Sequence, residues 1–289
     1  MIYLQYKIYR FIATHFSESF CYRMARFLVT LDFLLFPKKR RKVLKNLSYI
    51  LKDEDKKEIR RVALNLYKNF AMNIADYFFL SFKWNKEQIG KRIILNGADE
   101  KLKELASSKK GIIIPTAHFG NWEVAGFILG YMGYRSHGIG LPQRDKRLEE
   151  QYKKMREKGN VFVHPLKGGA ASVYRALKNN EVASIVSDRD INKDGIKVNF
   201  FGRCVTFPGG TALLAYKSGA RSIFGFALRE GKKYRAYLGP EIVIDRSKGE
   251  KAFIKEYVQT FATILENHIR KFPDRWYNFF DYFEEYKCS

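Results

Sequence analysis

From about residue 92 onward, short β-rich apolar runs alternate with segments of helical period, and this alternation restricts the fold more than any other feature of the chain. Strands are expected at 111–116, 134–140, 161–164, 182–187, 196–200, 222–228 and 234–238, and helices over 100–107, 122–131, 146–158, 170–179, 210–218 and 252–271. Such a series points to an α/β fold with a partly parallel central sheet flanked by helices. Upstream, Ile59, Val62, Ala63, Leu66, Phe70, Ile74, Tyr77 and Phe78 recur at helical spacing over 55–82, and residues 1–51 read as one or two amphipathic helices. The expected division is therefore an N-terminal helical segment, 1–90, and an α/β domain, 91–289. No repeat or Pro/Ser-rich linker separates them, so they are expected to pack as one unit.

In an open sheet of this kind the active site lies beyond the carboxyl ends of the strands. Of five histidines, His118 has the most informative setting: the apolar run Gly111-Ile-Ile-Ile-Pro-Thr-Ala117 precedes it, and Phe119-Gly120-Asn121-Trp122-Glu123 comes after it. Gly120 and Asn121 suit a turn and a helix cap. His118 is thus placed at a strand's carboxyl end, with Glu123 in the first turn of the next helix. From there Glu123 could accept the proton of one ring nitrogen, leaving the other to deprotonate a substrate hydroxyl. The alternative on spacing alone is a cap histidine with an exposed glutamate.

The run His118-Phe-Gly-Asn-Trp-Glu123, with Gly111-Ile-Ile-Ile-Pro before it, resembles the HxxxxD/E motif of the glycerolipid acyltransferase superfamily. Its wording is similar to the branch of lipid A biosynthesis (lauroyl/myristoyl) acyltransferases and the related phosphatidylinositol mannoside acyltransferases. Asp188-Arg189-Asp190, Gly195-Ile-Lys-Val-Asn-Phe-Phe-Gly202, Pro208-Gly-Gly-Thr-Ala-Leu-Leu-Ala215 and Ser218-Gly-Ala220 continue the likeness in order, and it covers about Arg40 to Phe280. The resemblance implies a membrane-associated O-acyltransferase of lipid biosynthesis. Its acyl donor would be an acyl carrier protein or coenzyme A thioester, used as co-substrate with no other cofactor and no metal. Its acceptor would be a hydroxyl of an anionic glycolipid or lipid precursor. His118 would be the general base, Glu123 its orienting acid, and an apolar groove would hold the acyl chain. The chain departs from the lipid A enzymes in carrying Leu141-Pro142 where they have Arg-Pro. Arg144 or Arg147 is the candidate replacement, and Arg156 matches a later family arginine, so Arg144 and Arg156 are candidates for the headgroup, with Asn121 beside the motif.

Asp188 comes after the apolar run 182–186 and should also emerge at a strand's carboxyl end near His118, to supplement the dyad, to receive a hydrogen bond from the acceptor, or only to serve as a turn cap for Arg189; Asp188 and Arg189 are both candidate substrate-binding residues. Gly209, Gly210 and Thr211 open a helix after Pro208. Their backbone N–H groups could bind a thioester oxyanion or a phosphate, or simply form a tight strand-to-helix turn.

Charge narrows the partners. The chain carries 53 Lys plus Arg against 30 Asp plus Glu, which draws it to polyanions. Residues 1–51 hold ten of those bases against Glu18 and Asp32, and the run Lys38-Lys39-Arg40-Arg41-Lys42 is expected to come after the amphipathic helices. Basic heads beside aromatic and aliphatic faces suit a helix lying on an anionic bilayer. The longest apolar stretch, 27–36, is interrupted by Asp32 and is too short to span one. Together with the resemblance, this implies peripheral attachment to the cytoplasmic face of the inner membrane, with no nucleic-acid partner. Two competitors are a D-x-D glycosyltransferase, in which Asp188 and Asp190 hold a divalent cation, and a basic RNA-binding protein. The three cysteines, Cys21, Cys204 and Cys288, show no disulfide framework or zinc spacing, which suggests a reducing context.

Overall fold

A computed structural model describes residues 2–288. Three helices come first, α1 (Ile2–His15), α2 (Glu18–Leu35) and α3 (Pro37–Ile50), and then the long α4 (Lys56–Phe82) and the short α5 (Lys86–Gly90). Ser17 caps α2 and Asp55 caps α4, each accepting from a backbone N–H three residues on. The basic run does not trail these helices as expected. Pro37 starts a new helix at its first position, and residues 38–42 form the first turns of α3. There Lys39 pairs with Asp32 at 3.0 Å, and Arg40 Nη1 donates to the Phe33 carbonyl at 2.6 Å.

The α/β region then runs β1 (Ile93–Ile94), α6 (Ala98–Ser107), β2 (Ile112–Thr116), α7 (Trp122–Tyr131), β3 (Ser136–Gly140), α8 (Lys146–Lys158), β4 (Val161–Pro165), α9 (Leu166–Lys178), β5 (Val182–Val186), β6 (Ile196–Phe200), β7 (Arg203–Phe207), α10 (Gly210–Ser218), β8 (Arg221–Glu230), β9 (Lys233–Glu241), α11 (Glu250–Lys271) and α12 (Tyr282–Glu285). Seven strands form one sheet in the order β1-β9-β8-β2-β5-β3-β4, and β6-β7 is a separate hairpin. Every pairing in the large sheet is parallel except β8 with β9. β2 is buried at all five positions, which explains its unbroken apolar run. Ile112, Ile114 and Val182 pack under α6 and α7, whereas Ile113, Ala183 and Ile185 face α9, α10 and α11.

The expected α/β elements are present with small shifts at their ends; β7, the two-residue β1 and the short α5 and α12 are additions, and residues 1–51 hold three helices where one or two were expected. α9 is interrupted by non-helical Lys167 and by Gly168 at φ 84°, so its regular part begins close to the expected residue 170. One apolar cluster joins Phe33, Leu47 and Tyr67 from the N-terminal helices to Trp276, Tyr282 and Phe283. Cys204 and Cys288 form a disulfide across 84 residues, contrary to the expectation of unpaired thiols, while Cys21 is free and buried.

Candidate active site

The parallel register builds the centre of the site. Thr116 at the end of β2 lies opposite Val186 at the end of β5. Two residues beyond each strand end come His118 and Asp188, which therefore leave the sheet side by side. His118 Nδ1 and Asp188 Oδ1 are 2.7 Å apart, and the same oxygen accepts the His118 backbone N–H at 3.2 Å. Asp188 is fully buried, and its second oxygen accepts from Trp276 Nε1 at 2.9 Å. Burial alone would raise this carboxyl. The His118 ring, Arg189 and the Trp276 N–H outweigh it, bringing the group down to about 2.

Glu123 does not reach His118. It begins α7 and turns away to Arg156 of α8, whose Nη2 and Nε donate to its two oxygens at 2.7 and 3.1 Å. The expected His118–Glu123 contact is thus replaced by two separate pairs, His118–Asp188 and Glu123–Arg156. The reason lies in the turn between them. Gly120 has φ 64°, and a Cβ there would meet the Ala227 carbonyl at 2.3 Å. Asn121 then caps α7, its side chain accepting from Val124 N–H and donating to the Tyr234 hydroxyl at 3.0 Å. Asn73 of α4 holds the Gly120 carbonyl at 2.7 Å. From the segment after α11, Arg275 O accepts from Gly120 N–H and Tyr277 N–H donates to His118 O, both at 2.8 Å.

The other expected residues separate in the same way. Arg189 is committed to structure: Nε donates to Asn278 Oδ1 at 2.9 Å and Nη2 to the Tyr277 carbonyl at 2.7 Å. Asp190 Oδ2 accepts from Gly195 N–H at 2.9 Å. The two aspartates of the D-x-D thus have separate partners, and among the described residues no cluster of three His, Cys, Asp or Glu side chains could hold a metal. Gly209 caps α10, and Thr211 Oγ1 shares a 2.7 Å hydrogen bond with Ser187 Oγ. Arg144 is exposed in the loop before α8. Arg147, its alternative, pairs with Asp145 at 2.7 Å and stacks over Tyr3.

A cavity of about 1160 Å³ unites these parts. His118, Glu123, Arg156, Gly209, Gly210 and Thr211 line it, while Arg144 stands outside its lining. It continues between α7 and the sheet, where Leu102, Ile114, Ile128, Leu129 and Met132 make an aliphatic wall. The volume lies just above the usual range for small-molecule sites, roughly 300–1,000 Å³. Chemically, the arrangement offers an imidazole oriented by a buried carboxylate, with Nε2 left for a substrate proton. The helix amides beside it suit a developing oxyanion, and a long apolar recess adjoins them. Trp276, Tyr234 and Asn73 went unread in the sequence because nothing local marks them: each acts through contacts more than 40 residues away in the chain.

Residues 3–284 match the family described as bacterial lipid A biosynthesis acyltransferase. Among curated proteins the chain is similar to the phosphatidylinositol mannoside acyltransferase of Mycobacterium tuberculosis (strain ATCC 25618 / H37Rv), 27% identical over 192 residues, or 64% of this chain and 58% of that protein. It is similar also to that of Mycolicibacterium smegmatis (strain ATCC 700084 / mc(2)155), 26% identical over 174 residues, or 58% of this chain and 55% of that protein. The matched region thus spans little more than half the length of these relatives. Because the family match runs from α1 to α12 and takes in every element around the cavity, the chain belongs to the bacterial lipid A biosynthesis acyltransferase family.

Proposed function

We propose that this protein transfers an acyl chain from an acyl carrier protein or coenzyme A thioester to a hydroxyl of an anionic glycolipid or lipid precursor, with His118 as general base and Asp188 as its orienting acid. The observation that carries the reading is the 2.7 Å contact between His118 Nδ1 and the buried Asp188 carboxylate at the wall of the large cavity. With Nδ1 holding its proton toward Asp188, Nε2 accepts the proton of the acceptor hydroxyl as that oxygen attacks the thioester carbonyl. The Gly209–Thr211 amides, which line the same cavity, would stabilise the tetrahedral oxyanion. Its collapse breaks the carbon–sulfur bond, and the departing sulfur takes the proton from Nε2. Arg156 and the cavity-lining Lys153 would meet an anionic headgroup or carrier. Glu123 then serves to fix Arg156 rather than the imidazole.

Peripheral attachment to the inner membrane's cytoplasmic face is part of the proposal. Among the described residues no helix is long and apolar enough to cross a membrane. Yet α1 and α2 present Leu4, Phe11, Phe27 and Leu35 to solvent at 62, 56, 63 and 68% exposure, beside Lys7, Arg10, Arg23 and Arg26. Apolar rings and basic heads on the same helices suit insertion into an anionic interface.

The test is transfer from labelled acyl-carrier-protein and acyl-coenzyme A donors to membrane lipids by purified protein, alongside His118→Ala. One new lipid species heavier by a single acyl chain is expected, reduced by about 10² to 10⁴ in the variant. A folded His118→Ala protein with full transfer would remove His118 from the mechanism, and absence of transfer from either donor would overturn the assignment.

A further inference from the structure

The end of the chain is folded onto the candidate active site. α12 supplies Tyr282, whose hydroxyl donates to the Asp188 carbonyl at 2.6 Å, and Glu285, which pairs with Lys193 at 3.0 Å. Lys193 lies in the segment between β5 and β6, where its neighbours Ile191, Asn192 and Asp194 line the cavity. Ile191 is half exposed, so this segment forms part of the rim. α12 thus touches both the backbone of Asp188 and the entrance to the cavity.

A helix of four residues cannot hold itself in place. On its N-terminal side it is fixed by packing, with the Tyr282 and Trp276 ring centroids 4.6 Å apart. On its C-terminal side it is tied to β7: Thr206 N–H donates to Tyr286 O at 2.8 Å, Cys288 N–H donates to Cys204 O at 3.3 Å, and the two cysteines are joined covalently. Chain ends held by few backbone bonds fray readily, so the disulfide is the strongest tie on this side. Each half of it adjoins a part of the site. Cys204 stands on the strand that leads into Gly209–Thr211, and Cys288 comes shortly after Tyr282.

The bond is also open to solvent, since Cys204 is exposed and Cys288 half-buried. In a reducing cytoplasm disulfides are rare, and those that occur are usually transient, catalytic or redox-sensing. Access for an attacking thiolate is what makes such a bond labile.

We propose that the Cys204–Cys288 bond is a redox switch on acyl transfer: intact, it holds α12 against Asp188 and the cavity rim; reduced, it lets the chain end fray and slows the reaction. The inference rests on the acyl-transfer reading above and on its cytoplasmic location. The chemistry is thiol–disulfide exchange. The thiolate of glutathione attacks the exposed Cys204 sulfur and displaces Cys288 as a thiolate, leaving a mixed disulfide. A second glutathione thiolate then releases Cys204. Two electrons and two protons convert the bond into two cysteine thiols, and the two glutathiones leave as their disulfide. Glutathione disulfide reverses the exchange.

The experiment equilibrates the full-length protein in a series of reduced and oxidised glutathione mixtures. Free thiols are counted by alkylation and mass, and single-turnover transfer and circular dichroism are measured on the same samples. The count should rise from the one free thiol of Cys21 to all three cysteines. Over the same range the transfer rate should fall by about three- to thirtyfold, less than on loss of a general base. The folded spectrum should be retained, and reoxidation should restore the rate. Cys204→Ser/Cys288→Ser should transfer at the slow rate in every mixture, while Cys21→Ala should respond as the unaltered protein does. If the serine variant folds poorly, the reversible series on the unaltered protein still decides. A thiol count that never rises, equal or faster transfer by the reduced protein, or collapse of its folded spectrum would each overturn the switch. A response that survives in the double variant would overturn it as well. Absence of transfer in every mixture, with the thiols titrating normally, would instead overturn the proposed function, and the switch with it.

Discussion

Replacing Asp188 by Asn tests the centre of the site with the smallest change in shape. The carboxylate accepts from three donors: His118 Nδ1 at 2.7 Å, His118 N–H at 3.2 Å and Trp276 Nε1 at 2.9 Å. An amide cannot serve all three. Trp276 can only donate, so if the amide oxygen faces Trp276 the NH₂ meets both His118 nitrogens. The imidazole must then offer a bare Nδ1 and carry its proton on Nε2, where a base is needed. If the amide is turned round, two buried donors oppose each other at Trp276. The depression of the Asp188 carboxyl from 3.8 to about 2 corresponds to about 2 kcal/mol. Because the folded value lies below the unfolded one, that stabilisation is complete above about pH 4 and is lost as the pH falls towards 2. Asp188→Asn should therefore lose about 2 kcal/mol at neutral pH, with a further cost of about 1–3 kcal/mol for an unpaired donor. Acyl transfer should drop by on the order of 10³ to 10⁴, the scale seen when the carboxylate of a catalytic triad is neutralised. The assay is single-turnover transfer beside urea unfolding at about pH 7 and pH 3, where the stability gap between the two proteins should narrow at the lower pH. A folded Asp188→Asn protein retaining more than about a tenth of the transfer rate would refute the assignment of Asp188 as the orienting acid.

The Glu123–Arg156 pair should behave as a strut: Glu123→Gln and Arg156→Gln are each expected to cost less transfer activity than Asp188→Asn, and a double-mutant cycle on stability should give a coupling of about 0.5–3 kcal/mol, read from denaturant titrations. In α3, Lys38, Arg41 and Lys42 are exposed, so changing the three to Gln should weaken flotation with anionic vesicles by about 1 kcal/mol each while leaving neutral vesicles unaffected. Equal loss on both kinds of vesicle would show that the residues act through folding. Cys288→Ser opens a covalent loop of 84 residues and should cost about 4.5 kcal/mol on the chain-entropy estimate. The wild-type protein should lose a similar amount when unfolded with reductant present, and identical midpoints with and without reductant would refute that contribution.

The centre of the site is legible in the sequence because it obeys a local rule. Apolar runs ending at Thr116 and Val186 are strands, strands in such a series run parallel, and the residues just beyond their carboxyl ends converge. That rule is enough to bring Asp188 near His118. It fails for Glu123, because the spacing of His118 and Glu123 fixes their separation in the chain but not the direction in which the intervening turn aims the carboxylate. Gly120, pressed against the Ala227 carbonyl, and Asn73, holding the Gly120 carbonyl, set that direction from distant elements. Trp276 is illegible for a similar reason, its aromatic character being equally suited to a core position. The disulfide joins cysteines 84 residues apart, and no spacing rule reaches that far. β7 contains Arg203, Cys204 and Thr206 among its five residues, too mixed a run to read as a strand without its partner β6.

The three-residue contact between the His118 turn and the segment around Trp276 also bears on the order in which the site can assemble. Arg275 and Tyr277 clasp the turn's backbone, Trp276 anchors Asp188, and Tyr282 donates its hydroxyl proton to the Asp188 carbonyl at 2.6 Å, across 94 residues. During synthesis the sheet strands bearing His118 and Asp188 emerge from the ribosome well before these partners do, at about 5–20 residues per second. Until residue 282 has emerged, the two side chains lack the clasp that fixes them. The His118–Asp188 centre can therefore reach the geometry described above only after residues 275–282 have been made, late in the synthesis of the chain.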